Sequence, residues 1–463
     1  MVKIFQTLLI FITSLLLAAC GGGGGGGGSS GEAVGGGAIP QCSENASYVD
    51  GEYNFMGNAG TYTSTNLYGL GSVCASAAYG RGATGDGQLI AVLDSGISVG
   101  EGTTTDLNQI NSNIATFLTG SDVINSDNVP QDDDNNNNTA LGSGHGSHVA
   151  GLIANEHNNS SFGGHGIAYD ATLHIIKVLD EDGSGSFAQI AAGMDLARGV
   201  SSMDIVNLSL GSSGVIGSTC DSASSCETAL GSTIYTAMEA LGSASIIQVY
   251  AAGNDGNSSP NTLAGAAIYD DDFKETTVIA VAIDSTGNLA SYSDKCGVAK
   301  AICIAAPGSS LYSFFSSNAQ SSYAVDNYAQ AMSGTSQAAP LVSGGLALIK
   351  QEFSSLTNAQ VIDRLLATAL DTGEYSKSTI YGHGLMNLNG ATAAVAKLQT
   401  INGSNLLDDP NTSYYDLAHN SFLSSAAFSN ALNNALAGHT MEVYDSFDRA
   451  NFDVAVNSFF TSG

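Results

Sequence analysis

The sequence predicts a doubly wound α/β domain, with a mainly parallel sheet covered by helices on both faces. After the turn signal Gly85-Asp86-Gly87, apolar runs of strand length alternate with stretches in which apolar residues recur at helical spacing. The predicted strands are residues 89–93, 173–179, 205–210, 246–250 and 278–283, and the predicted helices are residues 145–156, 187–198 and 228–241. In such sheets the functional groups gather just beyond the carboxyl ends of the strands.

The composition supports a large folded domain and argues against one class of partner. The chain has 463 residues, and its apolar content of 43% is enough to fill a sizeable core. With 12 Lys and Arg against 42 Asp and Glu, the net charge is -30. This charge opposes attraction to nucleic acid and to anionic lipid headgroups, so we expect no nucleic-acid partner.

The N-terminus is typical of an export signal over residues 1–19. Lys3 supplies a positive charge, residues 8–17 are largely apolar, and small residues precede Cys20. The segment is too short to span a bilayer comfortably. Its Leu-Ala-Ala-Cys end resembles the lipobox of bacterial lipoproteins, which implies cleavage before Cys20 and a lipid on that residue. An ordinary signal peptide without a lipid is the alternative.

The rest of the chain divides into four predicted segments. Residues 20–41 form a glycine-rich tether, 42–79 an entry segment, 80–398 the main domain, and 399–463 a C-terminal extension of unknown role. Within the main domain, a long insertion carries the acidic tract Asp132-Asp133-Asp134, which we interpret as a solvated surface loop. Such carboxylates can ligate calcium, but the sequence assigns neither a calcium site nor any other metal site.

The seven cysteines fit an exported protein. If Cys20 carries a lipid, an even number remains, and in an oxidising compartment these favour disulfides. Spacing suggests two small loops, which leaves one further pair. The suggested pairs are Cys220 with Cys226, Cys296 with Cys303, and Cys42 with Cys74. Spacing alone does not decide among the connectivities that six cysteines allow.

Four residues supply the groups that a serine needs to hydrolyse a peptide bond: a base, an acid to orient it, the hydroxyl itself, and an oxyanion donor. Asp94 ends an apolar run, His145 lies in Gly-His-Gly-Ser-His-Val-Ala-Gly, and Ser336 lies in Ser-Gly-Thr-Ser-Gln-Ala-Ala-Pro. Asn254 follows an apolar run in Ala-Ala-Gly-Asn-Asp-Gly. Taken alone, the aspartate and the asparagine are typical of turns, and the serine of a helix N-cap.

In combination these segments resemble the signatures of the subtilisin family over roughly residues 80–395. The resemblance implies a subtilisin-like fold, with His145 as general base, Asp94 as its orienting acid, Ser336 as nucleophile and Asn254 as an oxyanion donor. The Asp, His, Ser order along the chain is the order of that family. The lipobox, the glycine tether and the Cys296 to Cys303 segment resemble the autotransporter branch most.

Two further segments resemble the strands with which this family binds an extended substrate. Asn-Leu-Ser-Leu-Gly contains Ser209, Leu210 and Gly211, and Asp-Gly-Ser-Gly contains Gly183. The resemblance implies that protein or peptide substrates bind by strand addition, in which backbone pairing gives affinity and pockets give selectivity.

The sequence therefore predicts a serine endopeptidase that acts through an acyl-enzyme on Ser336 and needs no organic cofactor. We expect it to be exported as a bacterial lipoprotein of the outer membrane or cell surface, held at the membrane by its lipid alone. A catalytically inert surface-binding lipoprotein on the same scaffold is the alternative. A lipase or esterase would carry a Gly-x-Ser-x-Gly elbow, whereas Ser336 lies in Gly-Thr-Ser-Gln-Ala.

Overall fold

The computed structural model describes residues 2–3, 68–97, 113–132, 144–157, 165–314 and 329–393, and short strands between 398 and 462. The strands are β1 (Val2–Lys3), β2 (Leu89–Asp94), β3 (Thr172–Lys177), β4 (Ser184–Gly185), β5 (Ile205–Leu208), β6 (Gly211–Ser212), β7 (Ile247–Ala251), β8 (Thr277–Ile283), β9 (Cys303–Pro307), β10 (Leu311–Phe314), β11 (Ala329–Met332), β12 (Leu398–Ile401), β13 (Tyr414–Asp416), β14 (Phe422–Ser424), β15 (Thr440–Asp445), β16 (Asn451–Ala455) and β17 (Phe460–Ser462).

Helices fill most of the connections between the strands of the main domain. They are α1 (Tyr68–Ser72), α2 (Ala75–Tyr79), α3 (His145–Ala154), α4 (Phe187–Arg198), α5 (Ala223–Leu230), α6 (Ser232–Ser243), α7 (Thr262–Gly265), α8 (Asp271–Lys274), α9 (Thr335–Glu352), α10 (Asn358–Ala367), α11 (Ser378–Tyr381) and α12 (Leu388–Ala391). Among the described residues, no helix combines the length and the hydropathy needed to cross a bilayer.

A parallel sheet of six strands forms the centre of the main domain, in the order β3-β2-β5-β7-β8-β9. The chain winds from β2 to β3 in one direction and from β5 to β9 in the other, which confirms the predicted doubly wound α/β fold. All five predicted strands are present. Strand β9, which the sequence did not predict, extends the sheet at one edge through a short run of small residues.

Side chains alternate across the sheet and build two cores. Ile90 and Val92 of β2 belong to the core that includes α3, α9 and α10. Their neighbours Ala91 and Leu93 belong to the core that includes α4, α5 and α6. Because successive residues of a strand point to opposite faces, the apolar run supplies both cores at once.

One predicted helix is divided in the structure. The sequence predicted a single helix over residues 228–241, but α5 ends at Leu230 and α6 begins at Ser232. Gly231 between them has a φ of 92°, a backbone conformation that side-chain-bearing residues rarely adopt. The glycine therefore ends one helix and allows the next to begin in a new direction.

Two of the three disulfides suggested by spacing join described residues. Cys220 is bonded to Cys226 and Cys296 to Cys303, with Cα atoms 4.9 Å and 5.7 Å apart. Cys74 is disulfide-bonded as well. Its suggested partner, Cys42, and the lipidation candidate, Cys20, lie outside the described residues.

Candidate active site

Asp94 and His145 form a direct hydrogen bond at the carboxyl end of β2. Asp94 is the last residue of that strand, and His145 is the first residue of α3. The His145 Nδ1 atom lies 2.8 Å from Asp94 Oδ1, and both side chains are buried. An ionised carboxylate only accepts hydrogen bonds, so Nδ1 carries the hydrogen and Nε2 is the basic nitrogen.

Glycine residues bring the start of α3 against the turn after β2. A Cβ atom on Gly146 would lie 2.1 Å from the carbonyl oxygen of Gly96, so no larger residue fits there. The Gly146 N–H donates to Ser95 Oγ over 3.1 Å, and the Ser95 N–H donates to Asp94 Oδ1 over 2.7 Å. The small residues around His145 thus allow the close approach that joins it to Asp94.

Ser336 lies in the first turn of α9 and is tied to the segment after β5. Its hydroxyl donates to the carbonyl oxygen of Ser209 over 3.2 Å. In return the Ser209 hydroxyl donates to the carbonyl oxygen of Ser336 over 2.8 Å. That carbonyl needs an outside donor because Pro340, four residues later, has no N–H to complete the helical hydrogen bond. Ser209 therefore compensates for the proline and fixes the turn that carries Ser336.

Asn254 follows β7 and is fixed by the residue that precedes Ser336. The Thr335 N–H and hydroxyl donate to Asn254 Oδ1 over 2.8 Å and 3.0 Å. The Thr335 hydroxyl also accepts from the Gly253 N–H over 3.0 Å. With Oδ1 engaged in this way, the carboxamide presents Nδ2 as its donor end. A Cβ atom on Gly334 would lie 3.3 Å from that nitrogen, so Gly334 leaves room beside it.

The structure therefore places all four predicted catalytic residues at one edge of the sheet. Asp94 ends β2, the Ser209 segment follows β5, and Asn254 follows β7, and these three strands are neighbours. Helices α3 and α9, which begin with His145 and Thr335, pack against each other. A base oriented by a carboxylate, a hydroxyl at a helix N-terminus and an amide donor are the groups that acyl transfer to serine requires.

The predicted substrate segments form two short strands with a groove between them. Gly211 begins β6, and Gly183, with a φ of 69°, lies in the turn before β4. Strand β1 occupies the groove and pairs antiparallel with both, so that Lys3 lies opposite Ser184 of β4 and Gly211 of β6. The side chains of Ser209 and Leu210 are buried. Ser209 thus contacts α9 with its side chain, which the sequence did not predict.

The prediction that the acidic tract is a solvated surface loop is wrong for Asp132. Its side chain is only 1% exposed. The Asp132 N–H donates to the carbonyl oxygen of Ile97 over 2.9 Å, which draws the residue inward beside the turn after Asp94. Asp133 and Asp134 lie outside the described residues.

Two further buried charges near the site were not identified from the sequence. Lys177 is 1% exposed, and its ammonium donates to the carbonyl oxygen of Ser95 over 2.7 Å. The Asp294 carboxylate accepts from the N–H groups of Asp255 and Asn257 over 3.2 Å and 2.6 Å, next to Asn254. A lysine inside an apolar run was a visible signal of a buried partner, whereas Asp294 resembled an ordinary turn residue.

Carboxylates near enough to one another to share a cation occur elsewhere in the part of the chain that the structure describes. Glu239, Asp270 and Asp272 lie together around α6 and α8, partly exposed to solvent. Asp270 also accepts a hydrogen bond from the Tyr235 hydroxyl over 2.6 Å. The cluster is remote in the fold from His145, and it assigns no metal to the chain.

Comparison with known proteins points to one family. The sequence model of the subtilase family matches residues 85–384. The chain is 34% identical to subtilisin DY of Bacillus licheniformis over 326 residues, which covers 70% of this chain and 97% of that protein. It is 35% identical to subtilisin Savinase of Lederbergia lenta over 325 residues, which covers 70% of this chain and 98% of that protein.

A solved protease structure is also similar to this chain. A protease from Pseudoalteromonas arctica superimposes with a TM-score of 0.52 at 27% sequence identity. The superposition covers 69% of this chain and 93% of that protein.

Proposed function

Because this chain belongs to the subtilase family and is a serine endopeptidase, we propose that Asp94, His145 and Ser336 are its catalytic triad and Asn254 its oxyanion donor. The observation that carries this proposal is the 2.8 Å hydrogen bond between Asp94 Oδ1 and His145 Nδ1. It fixes the imidazole tautomer whose Nε2 can accept a proton from a serine hydroxyl. Asp94 thereby acts as the orienting acid.

The proposed reaction proceeds in two steps. The Ser336 Oγ atom attacks the carbonyl carbon of the scissile bond while His145 Nε2 takes its proton, and the negative charge develops on the carbonyl oxygen. Asn254 Nδ2 and the Ser336 N–H donate to that oxygen. His145 then gives the proton to the leaving amine, which leaves an acyl group on Ser336. A water molecule, activated by the same base, releases the acyl group and restores the hydroxyl.

Turnover of a peptide substrate by matched serine variants tests the assignment of the nucleophile. Ser336→Ala removes the proposed nucleophile, and we expect no acyl-enzyme and a loss of almost all activity. Ser333→Ala is the control, because Ser333 lies in the same segment and is exposed. Equal activity of the two variants would show that Ser336 is not the nucleophile.

We further propose that substrates bind as an extended strand between β4 and β6. Support comes from β1, which lies in this groove and pairs antiparallel with both strands. Gly211 and Gly183 would then face the substrate backbone. The buried side chains of Ser209 and Leu210 would anchor β6 to the interior of the domain. Peptides methylated at single backbone nitrogens test this binding mode. We expect kcat/KM to fall at the positions whose N–H pairs with β4 or β6, and an equal response at every position would contradict the proposal.

We also propose that the protein is exported and anchored by a lipid on Cys20, at the outer membrane or cell surface, as in the autotransporter branch. The Leu-Ala-Ala-Cys sequence supports the anchor, and the disulfides of Cys220 and Cys296 support an oxidising compartment. Cleavage before Cys20 would also remove β1 and open the groove to substrate.

Membrane fractionation tests the anchor. We expect Cys20→Ser to move the protein from the membrane fraction to the soluble fraction, whereas Gly21→Ala should leave it at the membrane. A Cys20→Ser variant that stays in the membrane fraction would exclude Cys20 as the anchor.

A further inference from the structure

Buried charges surround the turn that joins Asp94 to His145. Lys177 is the register partner of Asp94 in the neighbouring strand β3, and its ammonium donates to the carbonyl oxygen of Ser95 over 2.7 Å. The ammonium is therefore held at the turn that directly follows Asp94. A buried lysine needs a compensating negative charge, because desolvation otherwise disfavours its charged form.

Asp132 reaches this turn from a different part of the chain. The Ile97 N–H donates to the Pro130 carbonyl over 2.8 Å, and the Asp132 N–H donates to the Ile97 carbonyl over 2.9 Å. A Cβ atom on Gly96 would lie 2.6 Å from the Pro130 carbonyl oxygen, so the two segments are packed as closely as backbone allows. This packing places the Asp132 carboxylate in the interior, near enough to Lys177 and Asp94 for their charges to act on it.

The pKa of Asp132 depends on burial and on charged groups from several neighbouring elements. Burial raises the pKa of Asp132 to about 7, the Lys177 ammonium lowers the pKa, and the Asp94 carboxylate raises it. The Ser95 side chain and His145 each lower the pKa further. Burial raises the pKa of Asp122 overall, and the same ammonium lowers that pKa, since Asp122 forms an isolated backbone bridge with Lys177. Asp132, which is not a member of the triad, thus interacts electrostatically with His145.

The number of buried charges changes during the reaction. Above about pH 7, where Asp132 is ionised, the Asp94 and Asp132 carboxylates face a single positive charge before attack, that of Lys177. When His145 accepts the proton of Ser336, a second positive charge appears beside the two carboxylates. Two negative and two positive charges are then present, so an ionised Asp132 favours the imidazolium that forms in the transition state.

We propose that Asp132 is a positioning residue for the triad, whose buried carboxylate balances the charge of Lys177 near the Ser95 turn and stabilises the imidazolium form of His145. The inference rests on the proposed function, in which His145 is the base. It goes beyond that function because it assigns a catalytic effect to a residue outside the triad and the oxyanion site.

The pH dependence of kcat/KM for Asp132→Asn tests the proposal. Asparagine resembles the uncharged acid in shape but cannot ionise, so the variant reports what the charge of Asp132 contributes. Because burial raises the pKa of Asp132 to about 7, the ratio of wild-type to variant kcat/KM should grow as the pH rises through about 7. We also expect kcat per active site to fall about tenfold, with little change in KM. Asp127→Asn is the control, because Asp127 lies on the same segment and is exposed.

Active sites are counted by labelling Ser336 with a fluorophosphonate, so a reduced folded fraction does not affect kcat per site. A structural role alone would lower the labelled fraction but leave kcat per site equal to that of the wild type at every pH, and this result would overturn the proposal. If wild-type protein itself failed to label at Ser336, the proposed function would be at fault instead.

A double variant keeps the test decisive if Asp132→Asn does not fold. Asp132→Asn with Lys177→Met leaves neither buried charge unpaired, so we expect it to fold. It still lacks the carboxylate that stabilises the imidazolium and the Lys177 hydrogen bond to the Ser95 carbonyl oxygen. We therefore expect its kcat per labelled serine to be about tenfold below that of the wild type. Wild-type kcat per labelled serine in this variant would contradict the proposal.

Discussion

The hydroxyl of Ser209 donates a hydrogen bond to the carbonyl oxygen of Ser336 over 2.8 Å. This is the carbonyl that Pro340 leaves without a helical donor. Asn207 Nδ2 in turn donates to Ser209 Oγ over 3.0 Å, and Ser343 Oγ of α9 donates to Asn207 Oδ1 over 2.8 Å. The start of α9, which carries Ser336, is therefore held to the sheet by a closed set of hydrogen bonds from side chains.

This relationship predicts a loss that a second substitution can restore. Ser209→Ala should leave the Ser336 carbonyl without a donor and lower kcat per labelled serine about tenfold. Pro340→Ala supplies a backbone N–H at the correct position, so the double variant Ser209→Ala with Pro340→Ala should recover much of that loss. Pro340→Ala alone is the control. If kcat per labelled serine in the double variant is no higher than in Ser209→Ala, Ser209 does not act by replacing the donor that Pro340 lacks.

Removal of the amide of Asn254 should affect the chemical step. The oxyanion bond strengthens only as charge develops, so Asn254→Ala should lower kcat and leave KM nearly unchanged. Loss of one such donor in subtilisin costs about 10²–10³ in kcat. Asn257→Ala, in the same turn, should change stability rather than kcat per labelled serine. Equal kcat in the two variants would remove Asn254 from the proposed mechanism.

The stability of the turn that carries Asn254 should depend on pH through Asp294. Burial raises the pKa of Asp294 to about 6, above its ordinary value of 3.8. The folded state therefore binds this proton more tightly than the unfolded state. The resulting contribution to stability is complete below about pH 4 and is lost as the pH rises through about 6.

Comparison with Asp294→Asn isolates this effect. Across that pH range the free energy of unfolding of the variant should rise relative to wild type, by on the order of 1 kcal/mol once solvent screening is allowed for. Asp271→Asn removes a carboxylate that is 99% exposed and should show no such trend. A constant difference between Asp294→Asn and wild type from pH 4 to 8 would contradict this prediction.

The disulfide between Cys296 and Cys303 should contribute to stability without taking part in catalysis. It closes a loop directly before β9, the edge strand of the sheet. Replacement of both cysteines by alanine should lower the free energy of unfolding by about 2–3 kcal/mol. Thermal unfolding would show the change as a lower Tm, with unaltered kcat per labelled serine. A loss of kcat per site would show that the loop also supports the catalytic edge.

The sequence predicted the parallel sheet and the four catalytic candidates because both leave local signals. A buried strand is a continuous apolar run, and a catalytic residue at a strand end or helix start needs small neighbours, as Gly146 beside His145 shows. The break between α5 and α6 was also visible in the sequence, as Gly231. Strand β9 had little sequence signal, because a short run of small residues around Cys303 is also typical of a loop.

The supporting residues were harder to predict because their partners are distant in the chain. Asp132 belongs to an acidic tract, and such tracts are typical of solvent-exposed loops. Its burial depends on the packing of residues 96–97 against Pro130 and Gln131. Ser209 was predicted as part of a substrate edge because its segment resembles the substrate-binding strand of the subtilisin family. Its side-chain role depends on the approach of α9 to β5, which no local pattern contains.

The most direct test of the account is to identify the residue that a fluorophosphonate modifies in the active protein. Peptide mapping by mass spectrometry should find the label on Ser336, in proportion to the activity lost. The variant His145→Ala should abolish the labelling, because Ser336 then has no base to take its proton. A label on any other serine, or complete inactivation with Ser336 unmodified, would contradict the proposed catalytic role of Ser336.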